Sequence, residues 1–321
     1  MTFIDILYYL LPLVIASAVP LALVALGALF SERSGVVNIA LEGIMLMGAF
    51  VGAIAIQQLE KTSLNLQIIA LLGLLIGAFV GILFSLFHAF AAVNMKANQI
   101  ISATALNMFA PAFAIFMART FLGTQKVTIQ GSYKIREVPI LSDIPIIGDI
   151  FFKGAYLSTY VGILIFIIAV IVLYKTKQGL RLRSCGENPQ AADSLGINIY
   201  RIRYAGVMVS GALAGMGGVI FVLSFAANFN ATVAGFGFLA LAVLIFGNWK
   251  PSKIIYAALF FGAMRVISSS YYVISFLNNF NLTSEIYSMI PYVATLVVLA
   301  FVSKKSAAPL AAGEPYDSGK R

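Results

Sequence analysis

The sequence predicts an all-α, polytopic membrane protein: a bundle of about nine transmembrane helices (eight to ten) with one docking helix outside the membrane. Three observations carry this prediction. Of the 321 residues, 61% are hydrophobic and only 10% are charged, a balance that no soluble core requires. Apolar stretches that approach the roughly 20 residues needed to cross a bilayer also recur along the chain. Basic residues, finally, cluster beside these stretches rather than within them.

The apolar stretches mark the predicted spans. They fall at 7–30, 36–58, 66–93, 99–120, 155–174, 204–226, 233–249, 254–276 and 286–302. The stretches 233–249 and 286–302 are short, and a broken or re-entrant helix resembles a span by hydropathy, so eight or ten crossings stay open. Residues 1–30 lack a basic start and run into Glu32 and Arg33, so the first span is expected to be retained rather than cleaved as a signal peptide.

The net charge of +9 is placed as in a membrane protein rather than a nucleic-acid-binding one. Most basic residues flank spans on one side: Arg33, Lys96, six within 175–203, Lys250, Lys253, Lys304, Lys305, Lys320 and Arg321. The positive-inside rule puts that side in the cytoplasm, with the N-terminus outside. Lys61, Arg119, Lys126, Lys134, Arg136 and Lys153 then lie outside. We expect a transmembrane domain at 1–303, a cytoplasmic polar tail at 304–321, contact with lipid and none with nucleic acid.

The loop 175–203 is the most informative polar segment. It reads KTKQGLRLRSCGENPQAADSLGINIYRIR, with six basic and two acidic residues. Asn188 is a favoured N-cap, Pro189 a favoured first helical residue, and Gly196 a favoured residue just beyond a helix end. The pattern predicts a helix of about two turns in a cytoplasmic loop. We interpret it as a docking element for a partner that supplies energy.

Two further patterns concern packing and the outer face. Glycines at every fourth position, Gly73, Gly77 and Gly81 in one span and Gly211 and Gly215 in another, predict close helix contact. The long outer loop 121–153 contains VPILSDIPIIGDIFFKG, whose apolar clusters are interrupted by Pro139, Pro145 and Gly148. Such a segment is too broken to span and is expected to lie against the membrane surface; an external partner could also use it as a platform.

Polar side chains within the spans are the candidate pathway residues, because they are costly in lipid. They are Asn38, Glu42, Asn107 and Arg265. Asn38 and Glu42 stand four apart and would share one helix face, while Arg265 lies near the middle of its span. One hypothesis is that the four face a central cavity and bond a polar solute. The alternative is that Glu42 and Arg265 neutralise each other or bond backbone groups. For His88 we expect a packing or interfacial role.

Enzyme signatures are absent from the sequence. It has no phosphate-binding G-x-x-x-x-G-K-[ST] loop, no H-E-x-x-H motif, one cysteine (Cys185) and one histidine (His88). We therefore predict no catalytic residues, no metal site and no cofactor bound by this chain. Intramembrane acids are too few for a relay, but a proton- or sodium-coupled secondary transporter using Glu42 as its carrier is an alternative. Replacing Glu42 with Gln would then abolish gradient-driven uptake.

The docking loop resembles that of a known family. GLRLRSCGENPQAADSLGI is similar to the cytoplasmic loop of permease subunits of ATP-binding-cassette importers for simple sugars, branched-chain amino acids and nucleosides. The matching positions are Gly179, Arg181, Arg183, Gly186, Asn188, Pro189, Ala191, Ala192, Gly196 and Ile197, with Glu187 inside the motif. Cys185 stands where a small residue such as alanine is expected, a mild departure. The resemblance implies that this segment is a coupling helix that fits a groove on separate ATPase subunits, where ATP is hydrolysed.

A second resemblance narrows the subgroup. SERSGVVNIALEGIMLMGAF (residues 31–50) and SDIPIIGDIFF in the outer loop are similar to nucleoside-type permeases. That resemblance implies a nucleoside importer of the bacterial cell membrane, working by alternating access. It also implies a second permease subunit, expected to be a different chain, and a substrate-binding lipoprotein of the basic-membrane-protein type. A ribose-like simple sugar is the alternative substrate.

Overall fold

The structure, a computed structural model, describes residues 3–138, 141–145, 147–274, 283–302 and 307–317. Helices dominate it and confirm the predicted all-α fold. They are α1 (Phe3–Arg33), α2 (Leu41–Leu59), α3 (Leu66–Val93), α4 (Gln99–Leu122), α5 (Leu157–Lys175), α6 (Lys177–Glu187), α7 (Pro189–Ser194), α8 (Ile199–Phe225), α9 (Phe236–Phe246), α10 (Pro251–Ser269), α11 (Ser284–Ser288) and α12 (Ile290–Val302). Four short strands are β1 (Val127–Thr128), β2 (Lys134–Glu137), β3 (Lys153–Tyr156) and β4 (Asn228–Phe229).

Seven of these helices are long and apolar enough to cross a membrane: α1 to α5, α8 and α10. The predicted spans 233–249 and 286–302 contain the shorter helices α9 and α12, with 11 and 13 residues. A helix of 11 residues rises only about 16 Å, roughly half of a hydrocarbon core. The span predicted at 233–249 is therefore a broken one. Nine crossings stay a prediction.

The centre of the bundle is the contact between α3 and α8, and the glycine pattern explains it. A Cβ atom on Gly81 would overlap the carbonyl oxygen of Gly211, and one on Gly215 would overlap that of Gly77. The two backbones thus touch without intervening side chains, as the predicted small-residue spacing requires. Helix α2 packs on both α3 and α8, helix α1 packs on α8, and the four helices form the core.

One end of the bundle carries the long loop between α4 and α5. Strand β1 pairs with β4 after α8, and β2 pairs with β3 within the loop. The carboxylate of Glu60, just after α2, accepts hydrogen bonds from the amides of Gln130 and Gly131 at 3.0 and 2.9 Å. The loop is therefore fixed to the ends of two spanning helices. Single turns of 3-10 helix (Leu141–Asp143) and π-helix (Gly148–Phe152) interrupt its apolar part, and Pro139 lies outside the described residues.

The other end, which we call the basic end, carries the loop 175–203. Arg33 at the end of α1 forms an ion pair of 2.7 Å with Glu187 in this loop. Lys96 between α3 and α4 pairs with Asp317 at 3.2 Å. The indole of Trp249, between α9 and α10, donates to Glu32 at 2.5 Å. The charges that the sequence assigned to one side thus meet at one end, apart from those at 304, 305, 320 and 321, which lie outside the described residues.

Candidate functional site

The chain between α1 and α2, residues 34–40, is a non-helical break buried inside the bundle. Gly35 has φ = +97°, a backbone conformation that residues with a Cβ atom rarely adopt. Buried polar backbone atoms need partners, and here side chains supply them. Ser31 donates to the carbonyl of Val36 at 2.7 Å, and the amide of Val37 donates to Gln99 at 2.7 Å.

His88 completes the support of this break. Its Nε2 lies 2.9 Å from the carbonyl of Val37, and its Nδ1 lies 2.9 Å from the hydroxyl of Ser102. A carbonyl only accepts hydrogen bonds, so Nε2 carries the proton in this contact. The imidazole therefore links α3, α4 and the break.

The two candidate asparagines bind the same segment. Asn38 is fully buried, donates to the hydroxyl of Ser210 at 2.9 Å and accepts from the amide of Ala40 at 3.1 Å. Asn107 donates to the carbonyl of Ile39 at 2.9 Å and accepts from the amide of Gly43 at 2.8 Å. Both side chains satisfy backbone groups where α2 begins, and they join the break to α4 and α8.

Glu42 caps the half-helix α9. Its carboxylate accepts hydrogen bonds from the amides of Gly235 (3.0 Å), Gly237 (2.7 Å) and Phe238 (3.3 Å). A helix N-terminus has amides without internal partners and carries partial positive charge, so it favours a carboxylate. Half-helices whose ends lie within the bundle are typical of transporter substrate regions.

Arg265 lies beside this cap without bonding to it. Its guanidinium stands over the ring of Phe236, 5.6 Å from the ring centre, a cation–π contact at the first residue of α9. In the described part of the chain it forms no ion pair. The sequence leaves open whether Glu42 pairs with Arg265 or bonds backbone groups. In the structure Glu42 bonds backbone amides and forms no ion pair with Arg265.

Two sequence predictions need correction here. Asn38 and Glu42 do not share a helix face, because α2 begins only at Leu41 and Asn38 lies in the break. The span containing Arg265 was placed too far along the chain: α10 ends at Ser269, so Arg265 stands four residues from its end rather than near its middle. Hydropathy alone misled both predictions, since neither the break nor the helix end carries a charged residue.

At the basic end, α7 has the boundaries that its punctuation predicts. Asn188 accepts from the amide of Ala191 at 3.0 Å, and Pro189 is the first helical residue. Gly196 has φ = +78° and donates to Asp193 at 2.8 Å, while Ile197 donates to Ala192 at 3.2 Å. This bond pair is the Schellman arrangement that ends a helix. Ala192 faces inward, whereas Ala191 is exposed.

The remaining motif residues lie on α6, a helix that the sequence analysis missed. Thr176 caps it by accepting from the amide of Gly179 at 3.2 Å, and threonine at an N-cap was the available signal. Gly179 and Gly186 lie too close to the backbone of Leu173 and Arg33 for a Cβ. Around them, Arg183 stacks 4.9 Å from the ring centre of Tyr174, Arg181 is exposed, and Glu187 holds Arg33. This packing makes α5, α6 and α7 one unit.

Sequence reasoning also missed the buried partners Ser31, Gln99, Ser210 and Arg203. A single polar residue in or beside an apolar run does not indicate which other residues its side chain contacts in the fold. Among the described residues, no group of three or more His, Cys, Asp or Glu side chains is placed to hold a metal ion. The arrangement instead consists of a break held by side chains inside the bundle and a short capped helix, α7, at its basic end.

Known proteins are similar to this chain over nearly its whole length. The nucleoside ABC transporter permease protein NupC of Lactococcus lactis is 42% identical over 94% of both chains. The guanosine ABC transporter permease protein NupQ of Bacillus subtilis is 40% identical over all of both chains. A putative glucose ABC transporter permease protein, TsgC13 of Haloferax volcanii, is 30% identical over 91% of both. No solved structure matches the chain significantly.

A family profile also matches residues 11–299, from the first span to the last. Its description is branched-chain amino acid transport system, permease component. The match includes the break, the half-helix α9 and the capped helix α7, so it covers each part of the candidate site. With seven helices in its described part long and apolar enough to cross a membrane, the chain is a multi-pass membrane protein and belongs to this family of transport-system permease components.

Proposed function

We propose that this chain is the permease subunit of an ATP-driven importer for nucleosides. The observation that carries the proposal is full-length similarity of 40–42% to two permeases whose names specify nucleosides and guanosine. The relative named for glucose is more distant, at 30%, which favours a nucleoside over a simple sugar. ATP would be hydrolysed by separate ATPase subunits on the cytoplasmic side. A substrate-binding lipoprotein and a second, different permease chain would complete the transporter.

The proposed energy input is the helix α7. It is bounded by Asn188 and Gly196 and packed onto α6, which in turn is joined to the end of α1 through the Arg33–Glu187 pair. A push on a short rigid helix moves the attached helices as a body. The ATPase would shift the equilibrium between inward- and outward-open states because it binds the two states with different affinity.

The proposed solute pathway runs past the break and the start of α9. Glu42 and Asn107 are half-buried there, with Thr104 exposed on the same face of α4 three residues from Asn107. Phe238, next to the Glu42 cap, is also exposed. Amide, hydroxyl and aromatic groups together suit a ribose and a base. Glu42 and Arg265 would border this surface, and the buried Asn38 would hold its backbone in place.

A competing function is a secondary transporter with Glu42 as the proton carrier. Three amide hydrogen bonds occupy the Glu42 carboxylate. A proton carrier would have to release all three amides each time it moved, which would leave the start of α9 without acceptors. The geometry therefore favours the ATP-driven function.

Uptake in proteoliposomes tests the proposal. The vesicles would contain this chain, the ATPase, the second permease and the lipoprotein, and radiolabelled guanosine uptake would be measured with and without ATP on the ATPase side. We expect ATP-dependent uptake, competed by other nucleosides but not by ribose. Replacing Asn188 and Pro189 with alanine should reduce the nucleoside moved per ATP hydrolysed, while Ser63→Ala, exposed at the opposite end of the bundle, should not. Uptake by this chain alone, driven by a proton gradient, would overturn the proposal.

A further inference from the structure

The C-terminal segment, residues 307–317, does not extend freely from the bundle as a polar tail. The amide of Ala311 donates to the carbonyl of Gly186 at 2.9 Å, and that of Gly313 donates to Gly35 at 3.2 Å. Arg203 on α8 donates to the carbonyl of Glu314 at 2.9 Å. Three separate elements, α6, the break and α8, thus hold the segment by its backbone.

Side chains extend the attachment to the docking helix itself. Tyr316 is buried in an apolar cluster with Cys185, Ala192 and Ile199, and Ala192 is the inward-facing residue of α7. The ring of Tyr316 also meets that of Tyr200 edge to face, with ring centres 5.8 Å apart. The C-terminal segment therefore forms part of the support on which α7 rests.

A groove separates the start of α7 from this segment. Its volume is about 210 Å³, with Asn188, Pro189 and Gln190 on one wall and Leu310 and Pro315 on the other. The surface of the groove is therefore shared between the docking helix and the C-terminal segment. A partner that covered the start of α7 would also face the wall formed by the C-terminal segment.

The groove is lined by charged as well as apolar residues, and Glu187 and Glu314 are among them. Arg203, also part of the lining, is only 1% exposed, and its Nε and Nη2 atoms have no hydrogen-bond acceptor in the described part of the chain. Leu310 on the rim is 82% exposed, as is Leu195 at the end of α7. The two unpaired Arg203 atoms are buried, and Glu187 and Glu314 already supply negative charge to the groove. The signal for a partner is therefore the two exposed leucines, which favour an apolar contact.

We infer that residues 307–317 are the second half of the ATPase docking surface. In this inference the ATPase subunit covers Leu195 and Leu310 together with an apolar part of its surface. The inference rests on the proposed function, because it takes the partner of α7 to be the ATPase. Continuity between the groove and α7 identifies the occupant.

Single-cysteine labelling tests this inference on the assembled transporter. The native Cys185 is fully buried, and burial raises the pKa of its thiol to about 11, so an introduced cysteine is the reactive one. Leu310→Cys, Leu195→Cys and the control Leu64→Cys, at the opposite end of the bundle, would be labelled with a maleimide with and without bound ATPase. We expect about tenfold slower labelling of the first two when the ATPase is bound, since interface rims exclude water, and no change for the third.

The outcomes separate the two proposals. Protection of Leu195→Cys without protection of Leu310→Cys would overturn the inference and leave the docking role of α7 intact. No protection at Leu195→Cys would contradict the proposed function itself. As an independent measurement, Leu310→Asp should weaken ATPase binding about tenfold, whereas Leu64→Asp should not; an unchanged affinity for Leu310→Asp would also overturn the inference.

Discussion

Glu42 shows how a single charge can organise a membrane-embedded segment. Its carboxylate is the partner of three amides at the start of α9, and these amides have no other acceptor once it is removed. The side chain therefore stabilises a half-helix that hydrogen bonds along the chain cannot begin by themselves.

Glu42→Ala is expected to destabilise the protein by about 3 kcal/mol, because the amides of Gly235 and Gly237, which are shielded from water, would lose their acceptor at about 1–3 kcal/mol each. The stability of Glu42→Gln should lie between those of the native protein and Glu42→Ala, because the glutamine side chain keeps one oxygen as an acceptor but turns its NH2 group toward the amide donors. The measurement is the unfolding temperature of the purified protein in detergent. The exposed Glu285→Ala serves as the control. Equal unfolding temperatures for Glu42→Ala and the native protein would contradict the capping role.

Cys185 carries a second prediction at this scale. Burial raises the pKa of its thiol to about 11 from an ordinary value near 9. Only the thiolate reacts, and it is a minor species below the pKa, so raising the pH from 7 to 9 leaves the folded thiol almost wholly protonated. We expect no maleimide labelling of the native protein across this range and full labelling after denaturation, both measured by intact mass. Labelling of the folded protein at pH 7 would show that Cys185 is accessible.

Individual residues also mark the limit of prediction from the sequence. The cost of a charge in lipid made Glu42 and Arg265 recognisable as unusual. Their partners were not recognisable, because Gly235 lies 193 residues from Glu42 along the chain. Asn38 is predicted to lie in a helix because its neighbours are apolar, whereas distant side chains, among them His88 and Gln99, bond the backbone of the break.

At the scale of elements, local signals succeeded where they were complete. The helix α7 has a cap, a first-position proline and a terminal glycine within nine residues, and its bounds agree with the prediction to one residue. The span at 233–249 has apolar composition but no cap of its own, because Glu42 supplies the cap from α2. The sequence therefore predicts the apolar segment correctly, but the helix within it, α9, is shorter than the segment.

The contact of α3 with α8 gives the prediction for this scale. Gly81→Ala places a methyl group against the carbonyl oxygen of Gly211, and the helices can accommodate it only by separating. Overpacking of this kind costs about 1–3 kcal/mol, so the unfolding temperature should fall. Leu75→Ala, on the exposed side of the same helix, is the matched control and should change it little. If the unfolding temperature of Gly81→Ala equalled that of the control, the close approach of α3 and α8 would be contradicted.

The whole molecule combines two differently constructed ends. At the end with the strands, the α4–α5 loop is fixed to α2 and α8 by Glu60 and by the β1–β4 pair. At the basic end, α1, α6, α8, the break and the C-terminal segment are joined through Arg33, Glu187 and Arg203. In the proposed mechanism, movement of α7 would reach the break before α2 through these contacts, and the break leads directly to Glu42 and α9. This connection is the physical link between the proposed energy input and the proposed pathway.

The orientation of these ends in the membrane is the prediction for the whole molecule. The positive-inside rule places the basic end in the cytoplasm. In right-side-out vesicles, a membrane-impermeant maleimide should label Leu64→Cys and leave Leu195→Cys unreacted, and in inside-out vesicles the pattern should reverse. The native protein, with only the buried Cys185, provides the unlabelled control in both. Labelling of Leu195→Cys from the outside would place α7 beyond the reach of any cytoplasmic ATPase, because ATP and the subunits that hydrolyse it lie on the other side of the membrane.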